Sequence, residues 1–86
     1  MPMKLVNIGF GSMVARHRVL AVLEPDSAPI KRVIQEARDR AMLIDASYGR
    51  KTKSVILMDT DHLILSALTP EMMLERWGES GEESHE

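Results

Sequence analysis

Short apolar segments separated by turn residues mark the start of the chain. Residues 4–8 (KLVNI) and 18–23 (RVLAVL) are rich in Val, Leu and Ile, and they are followed by residues 9–12 (GFGS) and 24–29 (EPDSAP). Short runs of this composition between turn-forming residues are typical of β-strands. We therefore predict a strand in each of the two apolar segments.

A helical period replaces this pattern over residues 26–42. The apolar residues there recur at helical spacing: Ile30, Val33, Ile34, Ala37 and Ala41. This spacing places them along one side of an amphipathic helix. Asp26 or Ser27 can cap its N-terminus, and Pro29 suits the first turn, where its missing N–H would have no partner. Pro29 is therefore assigned a structural role.

Extended structure resumes after this helix. Residues 42–47 predict a third strand, and residues 53–68 predict two more, joined by a tight turn at residues 59–61. The complete order, including a short amphipathic helix over residues 70–77, predicts an α+β fold. Its parts are a small, largely antiparallel sheet, one long amphipathic helix and the short C-terminal helix. Met73, Leu74 and Trp77 share the apolar side of that last helix, and we expect Met73 and Trp77 near a core or a subunit interface.

Composition limits how such a domain can be stabilised. The 86 residues include no cysteine, which excludes a disulfide framework and a cysteine-based metal site. Aromatic residues make up 3% of the chain, so the core must be aliphatic. Small folds without disulfides or structural metal sites often gain stability by oligomerising. No secretory signal pattern and no apolar stretch of about 20 residues is present, so we expect a cytoplasmic protein.

The net charge of −2 conceals an uneven distribution. Ten basic and seven acidic residues precede position 71, whereas six acidic residues and a single base, Arg76, occupy the rest. A body of net charge +3 therefore carries a tail of net charge −5. Residues 78–86 are polar and rich in Gly, Ser and Glu, which predicts a disordered acidic tail after a single domain of residues 1–77.

Three motifs could carry chemistry, and each has a plainer interpretation. Residues 9–14 (GFGSMV) lack the third glycine of a dinucleotide fingerprint, which favours a simple turn. Asp59, Asp61 and His62 could bind a hard cation, but Asp and Thr are also what a hairpin turn prefers. Asp45 either is buried with a cation from residues 50–53 or reaches solvent at a strand edge. No nucleophile lies beside a base, so we predict no enzyme, catalytic residue, metal or cofactor.

The basic residues form the strongest signal, in three groups: Arg16 with Arg18, Lys31 with Arg32, and Arg50 with Lys51 and Lys53. Lys31 and Arg32 fall in the first helical turns, where the helix dipole disfavours cations. A bound phosphate would resolve that conflict, although an ordinary solvated face explains the pair equally simply. If the three groups converge, they suit the phosphate backbone of duplex DNA, most of all when an oligomer repeats them.

Residues 7–14, 25–52 and 55–71 resemble the extracellular matrix regulatory protein A (RemA) family. The resemblance implies a bacterial, nucleoid-associated transcriptional regulator, linked to biofilm matrix genes, that binds double-stranded DNA as a ring-like homo-oligomer. Carried over by position, it implies DNA contacts from four residues: Arg18, Arg32, Arg50 and Lys51. No membrane association and no small-molecule substrate is expected.

The chain departs from the family pattern at several positions. Lys51 stands where the family has a second Arg, which keeps the charge but loses the planar guanidinium. Arg16 and His17 add positive charge before Arg18, and Ala41 replaces a glycine at the helix exit. Two alternatives to DNA binding stay open: an adaptor that pairs through sheet edges, and a sensor of a phosphorylated small ligand.

Overall fold

The structure, a computed structural model, describes the backbone of residues 4–84 and the side-chain surroundings of residues 4–77. Its elements are β1 (Leu5–Gly9), β2 (Ser12–Ala15), a 3-10 turn (Arg16–Arg18), β3 (Val19–Leu23), α1 (Ala28–Asp39), β4 (Leu43–Asp45), β5 (Ser54–Met58), β6 (Leu63–Ser66) and α2 (Pro70–Ser84). The α+β class predicted from the sequence is confirmed. None of the helices within the described residues is both long and apolar enough to cross a membrane.

The strands form two sheets, where the sequence predicted one. β1 and β2 make an antiparallel hairpin, and the other four strands are ordered β3-β5-β6-β4. β4 runs parallel to β6, whereas the other pairs are antiparallel. β2 was not predicted, because Val14 is its one buried residue and the apolar signal is correspondingly short. The predicted turn at residues 59–61 does join β5 to β6.

Helix α1 covers one face of the four-stranded sheet. Ser27 is its N-cap, and the Ser27 Oγ accepts a hydrogen bond from the Ile30 N–H at 3.3 Å. Pro29 lies in the first turn, as expected. Ala37 is buried against Val55, and these two form a cluster with Leu63 and Leu65. Of the predicted stripe, Ile30, Ile34 and Ala37 face the sheet, because a helical apolar stripe and its cap are both local signals. Val33 is 41% exposed and Ala41 lies beyond the end of α1, so the predicted stripe was too wide and too long.

The β1–β2 hairpin and α2 cover the opposite face of that sheet. Val6 and Ile8 point from the hairpin into a cluster with Ile56, Ile64 and Met73, and Trp77 packs on its border. The position predicted for Met73 is therefore confirmed, with 1% of its surface exposed. The domain has three layers: α1, the four-stranded sheet, and the hairpin with α2.

Two buried serines connect the layers. Ser54 and Ser66 face each other across β5 and β6 and have no exposed surface. The Ser66 hydroxyl donates to the Ile8 carbonyl at 2.7 Å and accepts from the Leu68 N–H at 3.1 Å. The Ser54 hydroxyl donates to the Leu68 carbonyl at 2.7 Å. These bonds satisfy backbone groups that would otherwise be buried without partners, and they fix the hairpin to the sheet.

Helix α2 runs to Ser84 and is therefore longer than the helix predicted over residues 70–77. The disordered tail predicted for residues 78–86 overlaps this helical backbone, and residues 85–86 lie outside the described part. The disorder predicted for residues 78–86 and the single domain of residues 1–77 stay predictions.

The C-terminus of α1 has the backbone pattern that glycine usually supplies. The Met42 N–H donates to the Ala37 carbonyl at 2.8 Å, and the Ala41 N–H donates to the Arg38 carbonyl at 3.2 Å. These are the two bonds of a Schellman motif, and Ala41 occupies its left-handed position with a φ of 59°. Ala41 therefore keeps the cap at the cost of backbone strain.

We expect Ala41→Gly to raise the free energy of unfolding by up to about 1 kcal/mol. A left-handed non-glycine residue costs about 1–2 kcal/mol, and the larger entropy that glycine loses on folding offsets part of the gain. Urea unfolding followed by circular dichroism measures the difference. Ala37→Gly is the contrasting control, because its ordinary helical position should make it destabilising by about 1 kcal/mol or more. A destabilised Ala41→Gly protein would contradict the strain assigned to this cap.

Candidate nucleic-acid interface

The loop between β4 and β5 presents Arg50, Lys51 and Lys53 at one end of the sheet, and all three side chains are exposed. Tyr48 and Gly49 have left-handed φ values of 55° and 80°, which reverse the chain direction after β4. The loop is tied down at both ends, by the Arg50 N–H to the Ser47 carbonyl at 3.1 Å and by the Lys53 N–H to the Ser66 carbonyl at 2.8 Å. The cations therefore project from a loop of defined conformation.

Asp45 shapes the start of this loop. Its Oδ1 accepts bonds from the N–H and the hydroxyl of buried Ser47, at 2.9 and 2.5 Å. These bonds lower the pKa of Asp45, with a smaller contribution from Arg38. The carboxylate contributes stability above its unfolded-state pKa, and that contribution is lost as the pH falls through the folded-state pKa. Asp45 is an exposed edge residue bonded to Ser47 rather than a buried partner of the cations, which decides between the two interpretations of the sequence.

The β1–β2 turn brings a phenylalanine to the same end. Gly9 pairs with Ser12, which leaves Phe10 and Gly11 as a two-residue loop. Their φ values are 54° and 81°, and positive values at both positions are the signature of a type I′ turn. Asn-Gly is the preferred sequence there, and a residue with a Cβ costs about 1–2 kcal/mol in this conformation. Phe10 thus occupies a strained position while 47% of its surface is exposed.

Phe10 meets the basic loop through Tyr48 and Arg50. The Phe10 and Tyr48 ring centroids lie 5.4 Å apart in an edge-to-face arrangement. The Arg50 guanidinium carbon lies 5.1 Å from the Phe10 centroid, a cation–π contact. We call Phe10 and Tyr48 the aromatic tip. Sequence reasoning did not assign either residue to the site, although the glycine next to each was a signal of a special turn.

An open groove lies beside the aromatic tip, with a volume of about 510 Å³. Its walls include Phe10, Leu68 and Met72 on the apolar side, and Arg50, Lys51 and Lys53 on the charged side. This apolar side, next to three cations, suits a ligand that combines flat apolar rings with negative charge.

Lys31 and Arg32 lie at the same end of the sheet as this loop. β3 ends at Leu23, which pairs with Val55 one residue after Ser54, and α1 begins five residues later. Both cations are exposed in the first turns of α1, and the sequence places Asp26 and Glu24 just before the helix rather than in its first turn. We call the exposed cations of this end the basic end: Lys31, Arg32, Arg50, Lys51 and Lys53.

Arg16 and Arg18 lie at the opposite end. Arg18 precedes Val19, which pairs with Met58, and the Arg18 Nε lies 3.2 Å from the Asp59 Oδ1. The two ends are separated by the length of β5, about 13 Å. Within one chain, therefore, two of the three basic groups share an end and the third does not. The Arg18–Asp59 pair is solvent-exposed, so its contribution to stability is small.

The segment of residues 59–62, which contains Asp59, Asp61 and His62, forms the β5–β6 turn. Asp59 pairs with Arg18, Asp61 has a left-handed φ of 72°, and the Thr60 hydroxyl lies 2.7 Å from the His62 Nδ1. Within the described residues, no three His, Asp or Glu side chains are grouped so that they could hold a metal ion. The turn interpretation of this segment is confirmed.

Comparisons with known proteins agree with one another. Residues 5–77 match the family model described as RemA-like, extracellular matrix regulatory protein A-like. A candidate regulatory protein of Clostridium kluyveri is 59% identical over 83 residues, which cover 96% of this chain and 90% of the relative. One from Moorella thermoacetica is 60% identical over 76 residues, or 88% and 84% of the two chains. One from Brevibacillus brevis is 55% identical over the full length of both.

Proposed function

The chain belongs to the RemA-like family, and on that premise we propose that it is a bacterial transcriptional regulator that binds duplex DNA. The names of its relatives support the regulatory role. The basic end supports the DNA contact, because it gathers five exposed cations at one end of the sheet. This concentration of positive charge is the observation that carries the proposal.

The basic end offers several means of holding phosphate. The first turn of α1 carries the positive end of the helix dipole, with Lys31 and Arg32 beside it. Arg50 supplies a planar guanidinium that can hold two phosphate oxygens, whereas Lys51 and Lys53 act as compact point charges. Each neutralised phosphate releases counterions, which makes binding favourable and dependent on salt. In this role Lys31 and Arg32 gain the anionic partner that their helical positions otherwise lack.

A cyclic homo-oligomer completes the proposal. One chain presents too few cations for tight binding, and Arg18 lies at the other end of the sheet from Arg50. A ring is built from head-to-tail contacts between unlike surfaces, so a duplex that crosses a subunit boundary can meet the basic end of one copy and the Arg18 end of the next. Arg16 adds to the second of these surfaces. The ring thus makes one DNA-binding surface from groups that a single chain keeps apart.

The family description extends the proposal to the regulated genes. We assign the protein to the control of extracellular matrix genes and to the cytoplasmic nucleoid, where a DNA-binding regulator acts.

A salt titration tests the DNA contact and the assembly together. We expect a labelled generic duplex to bind, as measured by fluorescence anisotropy, with an affinity that falls steeply as salt is added. The five cations of one basic end limit the slope of log K against log salt to about −4.5, so a steeper slope requires further cations, which several subunits on one duplex would supply. Native mass spectrometry of the same sample measures the number of subunits.

The opposite results would point to other functions. A monomer at micromolar concentration would refute the ring. No binding even at low salt would refute the DNA contact and favour the adaptor, for which exposed Leu20 and Ile44 on the two edge strands offer pairing surfaces. Thermal stabilisation by a nucleotide without duplex binding would favour the sensor of a phosphorylated ligand.

A further inference from the structure

We propose that the aromatic tip inserts into duplex DNA from the minor groove, with Phe10 breaking the stacking of one base step while the basic end holds the flanking phosphates. This inference rests on the proposed function and adds how the duplex is engaged. It assigns to Phe10 and Tyr48 a contact with bases, in addition to the charge contacts proposed for Arg50, Lys51 and Lys53.

The first support is the placement of the aromatic residues. The chain contains one Phe, one Tyr and one Trp. Trp77 packs against the core, whereas Phe10 and Tyr48 are 47% and 61% exposed. Two of three aromatic side chains thus lie on the surface, in contact with each other and beside cations. Base stacking on aromatic rings next to a basic groove is a general mode of nucleic-acid binding.

The second support is strain that the fold maintains. Phe10 and Tyr48 both have left-handed backbones, which bulky residues rarely adopt. Strained positions of this kind cluster at binding sites, where they hold side chains ready for a partner. The edge-to-face contact and the Arg50 guanidinium brace the Phe10 ring in its exposed position. The ring therefore needs little ordering when it binds.

The third support is shape. Phe10 is at the tip of a two-residue hairpin turn, a narrow loop that carries an exposed aromatic ring. The minor groove of B-DNA is about 6 Å wide, which admits a loop tip more readily than a helix. Proteins that bind this groove frequently insert Phe between base steps and place Arg or Lys beside it. Insertion of this kind favours flexible pyrimidine–purine steps rather than a fixed base sequence.

The test uses Phe10→Asn in the full chain, because Asn-Gly is the preferred type I′ sequence and so the hairpin is retained. We expect the affinity for a generic duplex to fall by about tenfold. The salt slope should stay the same, because no phosphate contact is removed. Permanganate oxidises thymines whose stacking is broken, so thymine reactivity should rise when the unmodified protein binds and should not rise with Phe10→Asn.

Leu74→Ala is the matched control, because it truncates an exposed apolar side chain that does not line the groove beside the tip and should leave both readouts unchanged. Duplex binding by the unmodified protein without any rise in thymine reactivity would overturn insertion and leave the proposed function standing. Insertion would also be overturned if the Phe10→Asn protein bound the duplex as tightly as the unmodified protein. A shallower salt slope for Phe10→Asn would overturn it too. Absence of duplex binding altogether would overturn the proposed function as well. The Asn variant should also unfold at no lower urea concentration than the unmodified protein, which separates a DNA contact from a structural role.

Discussion

Replacing Arg50 with alanine is expected to lower the affinity for duplex DNA by about tenfold or more while leaving the fold intact. A hydrogen bond to a charged group contributes about 1.5–3 kcal/mol, and the alanine variant loses both the proposed phosphate contact of Arg50 and its cation–π contact with Phe10. In a ring, the loss recurs at each subunit that touches the duplex. Each lost contact should also make the salt slope shallower by about 1. Anisotropy titrations at several salt concentrations measure both effects.

Two matched variants sharpen this experiment. Arg76→Ala removes the same side chain from an exposed position on α2, outside the basic end, and should change neither affinity nor slope. Arg50→Lys keeps the charge but loses the planar guanidinium, so the slope should be preserved while the affinity falls by a smaller factor. A folded Arg50→Ala protein that binds as tightly as the unmodified one would remove Arg50 from the interface.

Replacing Met73 with alanine is expected to lower the free energy of unfolding by about 2–5 kcal/mol. The side chain is 1% exposed and fills the core between the hairpin and the sheet, so truncation leaves a cavity. Such a loss is a large part of the total stability of a small domain, which is about 5–15 kcal/mol. Urea unfolding can be followed by the fluorescence of Trp77, which packs on the same cluster. Protein concentrations must match, because assembly adds to apparent stability.

The neighbouring residue supplies the control. Leu74 is 70% exposed on the same helix, so Leu74→Ala should change the free energy of unfolding by less than about 0.5 kcal/mol. Met73→Leu nearly conserves volume and should cost less than about 1.5 kcal/mol, which keeps the test informative if the alanine variant does not fold. Equal effects of the two alanine substitutions would contradict the three-layer core.

The parts of the fold that the sequence predicted correctly are those specified by local signals. α1 has its stripe and its Ser27 cap, and the β5–β6 turn has Asp and Thr at the right positions. β2 and the parallel pairing of β4 were missed because their signals are not local. A three-residue strand such as Leu43–Asp45 takes its direction from the neighbour it meets, which only the tertiary structure specifies.

The same distinction applies to the candidate site. The charges of Arg18 and Arg50 were visible in the sequence, but the register of β3 on β5 decides that they lie at opposite ends. The aromatic tip joins Phe10 and Tyr48 from two loops distant along the chain, and it depends on left-handed backbones that neither residue type favours. The sequence signal that could have revealed the aromatic tip is an aromatic residue next to a turn glycine, as at Phe10 and Tyr48.

The bond between Ser66 and Ile8 spans 58 positions and has a consequence for how the protein is made. The N-terminal hairpin leaves the ribosome before β5, β6 and α2, which carry most of the residues that bury Val6 and Ile8. The nascent hairpin therefore lacks most of its native surface until those elements are made, and closing so long a loop is slow. The hairpin can pack fully only once α2 has left the ribosome, and a chain that stops before Met73 would leave Val6 and Ile8 open to misassociation with other nascent copies.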